Sequence, residues 1–192
     1  MFRFISTAIL MLLLPASAFA DDFDTQQFNF KFKVGDIEIE NRQTLNSDKD
    51  HIQLGYSIGD TTFQFRHTDA DNAENRLRFT TELFKTDYFY GKMRGEYRHF
   101  EDTDDYFRVR PIVGAYLLND ASHRVRLEYQ PSFNFEKENE KNDLQIDSGQ
   151  VKLSYRKQLH AFAYVEPFIQ YDHDEDFDKE QIFIGTSVVI NF

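Results

Sequence analysis

The chain has 192 residues, with 33 Asp and Glu against 22 Lys and Arg, a formal net charge of −11, no Cys and no Trp. Such acidity argues against a general nucleic-acid binder, and without Cys no disulfide framework is available. Phe and Tyr still number 21 and 10, enough aromatic mass to cover a large surface.

Residues 1–20 read as a secretory signal peptide. Arg3 supplies a positive start, "FISTAILMLLL" an apolar stretch, and Ala18-Phe19-Ala20 a small-x-small cleavage site. Cleavage after Ala20 would leave one domain over 21–192. No later stretch reaches the roughly 18 consecutive apolar residues of a spanning helix. Export then leads to a soluble compartment or to a membrane crossed by β-strands.

Beyond Ala20 the apolar residues recur with period two, the mark of strands. "FNFKFKV" (28–34) alternates on even positions, whereas Ile37 and Ile39 are odd. It reads as a bulged lower part of the first strand or as a periplasmic arm. Ten strands are then predicted, near 36–43, 51–58, 61–68, 76–84, 88–100, 105–117, 123–135, 146–157, 161–172 and 181–192, with twelve as the alternative count. "VGD" (34–36) and "IGD" (58–60) suggest Gly-Asp as a recurrent tight turn. Many runs exceed the usual globular strand of about 5–6 residues and match the roughly 9–11 that cross a bilayer. Short connections alternate with longer polar ones such as "DADNAEN", "EDTDD", "EKENEKNDLQ" and "DHDEDFDKE". That is the pattern of an all-β transmembrane antiparallel up-and-down barrel, with tight periplasmic turns and longer external loops. An even count puts both ends on the short-turn side.

The last strand, "QIFIGTSVVINF", sets Ile182, Ile184, Val188, Ile190 and Phe192 on one side. In a closed barrel it would pair with the first strand, so no edge stays open. Its terminal aromatic resembles the signal read by the barrel-assembly machinery. Pro111, Pro131 and Pro167 fall mid-strand on the outward face, where each should cost stability unless it sits at a bulge.

With the apolar residues outward, the inward set is rich in cations: Arg42, Arg66, Arg76, Arg78, Lys92, Arg94, Arg98, Arg108, Arg110, Arg124, Arg126, Lys152 and Arg156. Inward acids are fewer: Glu38, Glu40, Glu82, Glu96, Glu128 and Glu166. The remaining acids fall in loops, among them Asp102, Asp104, Asp105, Asp172, Asp174 and Asp178. Arg holds carboxylates through a planar fork, and rings of Arg and Lys favour anions. The expected function is passive diffusion of small acidic solutes, with all of these cations except Arg42 and Lys92 as candidate ligand-binding residues. Two alternatives stand beside it. Ten strands lie near the eight that side chains fill, so the arginines could pair with the glutamates and close the interior. An outer-membrane protease would need a rim His with acids, such as His99 with Asp104, or His173 with Asp172 and Asp174. The chain has no HExxH, P-loop or G-x-S-x-G motif. "DHDEDFDKE" lacks the Gly turn of an EF-hand loop. Neither a cofactor nor a dedicated metal is expected.

Three stretches resemble the small monomeric oligogalacturonate-specific porins: "IEIENRQTLNSDKDHIQLGYSIGD", "YFYGKMRGEYRHFEDTDDYFRVRPIVGAYL" and the terminal Phe192. The resemblance implies a monomeric, anion-selective barrel in the outer membrane, touching lipid and lipopolysaccharide and passing uronic-acid oligosaccharides. Arg94, Arg98, Arg108 and Arg110 are the basic residues that match by position.

Overall fold

A computed structural model describes residues 25–45, 50–69, 73–136 and 146–192. The expected signal peptide lies outside these residues, as does most of "EKENEKNDLQ".

The described chain forms eleven strands: β1 (Thr25–Val34), β2 (Ile37–Leu45), β3 (Asp50–Ile58), β4 (Thr61–Asp69), β5 (Glu74–Lys85), β6 (Phe89–Phe100), β7 (Tyr106–Asn119), β8 (His123–Glu136), β9 (Ser148–His160), β10 (Ala163–Asp174) and β11 (Lys179–Asn191). They close into one barrel in which each strand pairs with its chain neighbours and β1 pairs with β11. The expected ten strands are all present. The eleventh is β1, which is neither a bulge of the next strand nor a periplasmic arm. Its Val34 pairs with Ile37 across Gly35-Asp36. A two-residue hairpin sets an even position opposite an odd one, so the shift in parity that resembled a bulge is the turn itself. Gly35 and Gly59 have φ of +57° and +55°, the left-handed region that a tight hairpin of this kind requires.

An odd count corrects the expected even one and changes the seam. β1 and β11 run parallel, from Thr25↔Phe183 to Lys33↔Asn191. Phe192 N extends the seam by donating to Lys33 O at 2.8 Å. The two ends therefore part company: Thr25 lies at the rim of the longer connections, and Phe192 at the rim of the tight turns 35–36, 59–60, 86–88, 120–122 and 161–162.

The prolines find an arrangement that alternation alone did not disclose. The β7–β8 ladder is interrupted between Val109↔Phe133 and Val113↔Tyr129. Pro111 and Pro131 face one another in that gap, so two missing N–H donors fall in a single interruption. Pro167 lies in a second one, between Val165↔Lys157 and Phe168↔Ser154 of β9–β10.

Side chains divide as alternation demands. The outer wall is apolar and uncovered: Ile52 is 61% exposed, Leu77 58% and Val113 54%. Phe79 lies over Gly95, where a Cβ would come within 2.3 Å of its ring. A shallow groove of about 420 Å³ on this outer wall is lined chiefly by Leu54, Phe63, Phe65, Leu77, Phe79 and Tyr97. Inside, by contrast, Gln53, Arg66, Glu74, Glu96, Arg110, Gln130 and Glu166 are all buried.

Candidate functional site: an arginine-lined interior

The register of β5, β6 and β7 fixes the centre of the interior. Arg78 pairs with Glu96 across β5–β6, and Glu96 with Arg108 across β6–β7. One inward position towards the loop rim, Arg76 faces Arg98 and Arg98 faces Tyr106. One position towards the turns, Thr80 faces Arg94 and Arg94 faces Arg110. Glu96 is thus one acid framed by Arg76, Arg78, Arg94, Arg98, Arg108 and Arg110. The framing follows from the period of two, which turns every second residue of "RLRF", "KMRGEYR" and "RVR" to the same side.

The contacts differ around the patch. Arg78 Nε is 2.7 Å from Glu96 Oε1 and Arg76 Nη1 is 3.6 Å from Oε2. The Arg78 N–H is misaligned, however, and neither Glu96 oxygen accepts a hydrogen bond from a described residue. Nearer the loop rim, Glu74 is held far more tightly. Its Oε1 and Oε2 accept from Arg98 Nε and Nη2, both at 2.7 Å, and from Arg76 Nε and Nη2 at 2.6 and 3.0 Å. Arg98 also contacts Tyr106 Oη and stacks against Phe100, with 4.9 Å to the ring centre.

Among the described residues several arginines meet only neutral acceptors. Arg66 donates twice to Gln53 Oε1, at 3.2 and 2.9 Å. Arg94 donates to Thr80 Oγ1 and Gln130 Oε1. Arg108 donates to Asn134 Oδ1 at 2.7 Å and Tyr106 Oη at 2.9 Å. Arg110 Nε is buried without an acceptor among the described residues. A neutral carbonyl leaves the full cationic charge in place, so this wall stays positive.

A second network lies further round the wall on β8–β10, where Glu166 receives both Arg126 and Arg156, the latter at 2.9 Å. Arg156 lies 3.9 Å from the Tyr164 ring centre, and Lys152 Nζ lies 3.9 Å from that of Phe168. Beside the seam, Lys31 bridges Glu38 and Glu40 at 2.9 and 3.0 Å, and Arg42 joins Glu40 at 3.1 Å. Arg124 stands apart at the turn rim, bonded to Asn119 Oδ1.

Lys92 Nζ lies 4.0 Å from Glu82 Oε2, which accounts for the last expected inward cation, but the patches separate. Arg66, Arg76, Arg78, Arg94, Arg98, Arg108 and Arg110 share the β4–β7 wall, Arg126, Lys152 and Arg156 the β8–β9 wall, and Arg124 neither. Three residues were missed. Lys31 belongs to the uncounted strand. Glu74 lies in the expected loop "DADNAEN", yet it opens β5. Asp172, expected in a loop, is an inward strand residue receiving Gln150 Nε2 and Gln170 Nε2 at 2.9 and 2.8 Å.

The two histidines considered for water activation sit elsewhere. His99 Nδ1 pairs with Asp105, not Asp104, at 2.7 Å on an exposed rim. His173 is fully buried against Gly149, and its ring stacks with those of Phe177, Tyr129 and Tyr171. Among the described residues no cluster of His and carboxylates forms a metal site. In comparisons with known proteins, no family model matches the chain and no curated protein matches it.

Proposed function

We propose that the barrel resides in the outer membrane and provides a path for small acidic solutes, with uronic-acid oligosaccharides as the solute class, without covalent chemistry or a cofactor. The membrane setting is supported by the outer wall, where large apolar residues on nearly every strand stay uncovered by protein. A water-soluble protein rarely leaves so continuous an apolar surface exposed, whereas a bilayer covers it. The resemblance to oligogalacturonate-specific porins points the same way. In this setting the lipid and lipopolysaccharide are the partners of the outer wall, the barrel-assembly machinery that of the β11 end at Phe192, and the working unit is a monomer.

One observation carries the anion reading: six arginines frame Glu96 on the β5–β7 wall, with Glu74 binding two of them, and among the described residues Arg66, Arg94 and Arg108 are hydrogen-bonded only to neutral groups. The test is a planar bilayer recording in KCl. Cl⁻ should pass in preference to K⁺, and Arg108→Glu or Arg110→Glu should reverse or abolish that preference. Cation preference in the unaltered protein would refute the reading.

A second reading is favoured by a specific observation. Glu96 and Ser132 are 0% exposed and Ser154 2%, so at these positions the interior is filled by its own side chains, as in small barrels. A closed structural or adhesive barrel would give no conductance in the same recording.

A further inference from the structure

We propose that Glu96 is a tethered counter-anion: it holds the place of a solute carboxylate among the six arginines, and an incoming anion binds by exchanging with it. This rests on the interior being an anion pathway, and adds which residue an anion must displace.

The argument begins with the contrast between three interior glutamates. Glu74 accepts four close hydrogen bonds from two guanidinium forks. Glu166 accepts from Arg126 and Arg156. Glu96 is completely buried and surrounded by more arginines than either, yet neither oxygen accepts a hydrogen bond from a described residue. Buried carboxylates kept for structure are normally hydrogen-bonded, because an unsatisfied buried charge is costly. Glu96 is held by a single close ion pair, to Arg78 Nε at 2.7 Å, and not by the two-pronged forks that best fit a carboxylate.

The fit at Glu96 is poorer than its position requires. Glu96 springs from β6 between Arg94 and Arg98, in the same row as Arg78 and Arg108. Glu74, on the same wall, does meet two forks, whereas Glu96 meets Arg78 Nε at 2.7 Å without an aligned N–H and Arg76 Nη1 only at 3.6 Å. An untethered carboxylate arriving from the lumen axis can meet Arg78, Arg108 or the acceptor-free Arg110 Nε in fork geometry. Without Glu96, the cross-strand pair Arg94–Arg110 and the tier around it would repel one another with no anion present. Glu96 thus keeps the empty patch assembled, and the absence of a forked hydrogen bond to it leaves room for a solute to compete.

Glu96→Gln removes the charge with nearly the same shape, and Glu82→Gln removes an equal charge near the turns. With D-glucuronate as the probe in planar bilayers, Glu96→Gln should lower the concentration for half-block of the Cl⁻ current about tenfold. Glu82→Gln should shift it by clearly less. Equal shifts in the two variants would overturn the exchange and leave the channel reading standing. If no form conducts, the channel reading fails, and calorimetric titration of D-glucuronate into micelle-held protein decides the exchange alone. Tighter binding to Glu96→Gln than to Glu82→Gln supports it, and equal binding overturns it. Should Glu96→Gln not fold, Glu96→Asp, which retracts the carboxylate by one methylene, must show the same direction of change.

Discussion

Arg94 and Arg110 stand directly opposite one another in the β6–β7 ladder, both facing the interior. Arg66 faces Arg76, Arg76 faces Arg98, and Arg124 faces Arg156 in the same manner. Like charges placed opposite one another weaken a sheet. A barrel shaped only for stability would alternate the signs, and the chain has acids to spare in its loops. Arrangements that break a local rule mark functional positions, which is why the cationic wall carries the functional reading.

Arg110 is the sharpest test of that cost. Its Nε lacks an acceptor, and its cross-strand neighbour is Arg94. Arg110→Gln should raise unfolding stability in urea by about 0.5–1 kcal/mol, the size of one unfavourable cross-strand pair. It should also lower Cl⁻ preference. A variant that loses stability would show that Arg110 is held for structure.

Glu74 should behave in the opposite sense. It neutralises Arg98 and Arg76 through four hydrogen bonds while only 6% exposed. Removing one partner of a buried ionic cluster strands the other charges, at a cost of about 3–5 kcal/mol. Glu74→Ala is expected to fall in that range in urea unfolding, with Glu74→Gln losing less. A loss below about 1 kcal/mol, the level of an exposed pair, would contradict the tight network.

Alternation alone disclosed ten of the eleven strands and the inward direction of every expected cation. It missed β1 because Val34 and Ile37 differ in parity while sharing a face. The signal was present: Ile58 and Thr61 flip in the same way across Gly59-Asp60, and both turns read Gly-Asp. Glu74 and Asp172 were lost to polar surroundings, since a strand that continues a residue or two past its apolar run has no hydrophobic mark. Gln53, Gln130 and Asn134, the neutral acceptors that leave arginines unneutralised, have no charge pattern to reveal them. The proline pair needed a register between β7 and β8, which composition does not supply.

Acid should loosen one turn before the barrel wall. Asp120 accepts the backbone N–H groups of Ser122 and His123 at 2.8 and 2.7 Å, which lowers its pKa from the ordinary aspartate value of 3.8. A carboxyl with a depressed folded pKa contributes its full stabilisation above the unfolded value and loses it as pH falls through the folded one. Amide exchange at Ser122 and His123 should therefore be protected at pH 7, after correction for intrinsic rates, and lose protection below about pH 4. Asp120→Asn should flatten this dependence. Unchanged protection down to pH 2 would show that the carboxylate does not hold the turn.

The parallel seam offers the most direct check of the architecture. Asn29 pairs with Ser187, and Asn29 Nδ2 donates to Ser187 Oγ at 3.0 Å. The two side chains thus meet inside the barrel although 158 positions apart in sequence. The chain has no Cys, so Asn29→Cys with Ser187→Cys creates the sole thiol pair. Facing residues on neighbouring strands lie within the roughly 4.4–6.8 Å Cα separation that a disulfide spans. Mild oxidation of the folded double variant should close the bond, seen as a mobility change on a denaturing gel that a reductant reverses. Asn29→Cys with Val189→Cys, which turns to the interior one inward position further along β11, should link more slowly. A barrel closed by β2 against β11, with β1 outside the wall, would leave both pairs unlinked and would overturn the eleven-strand seam.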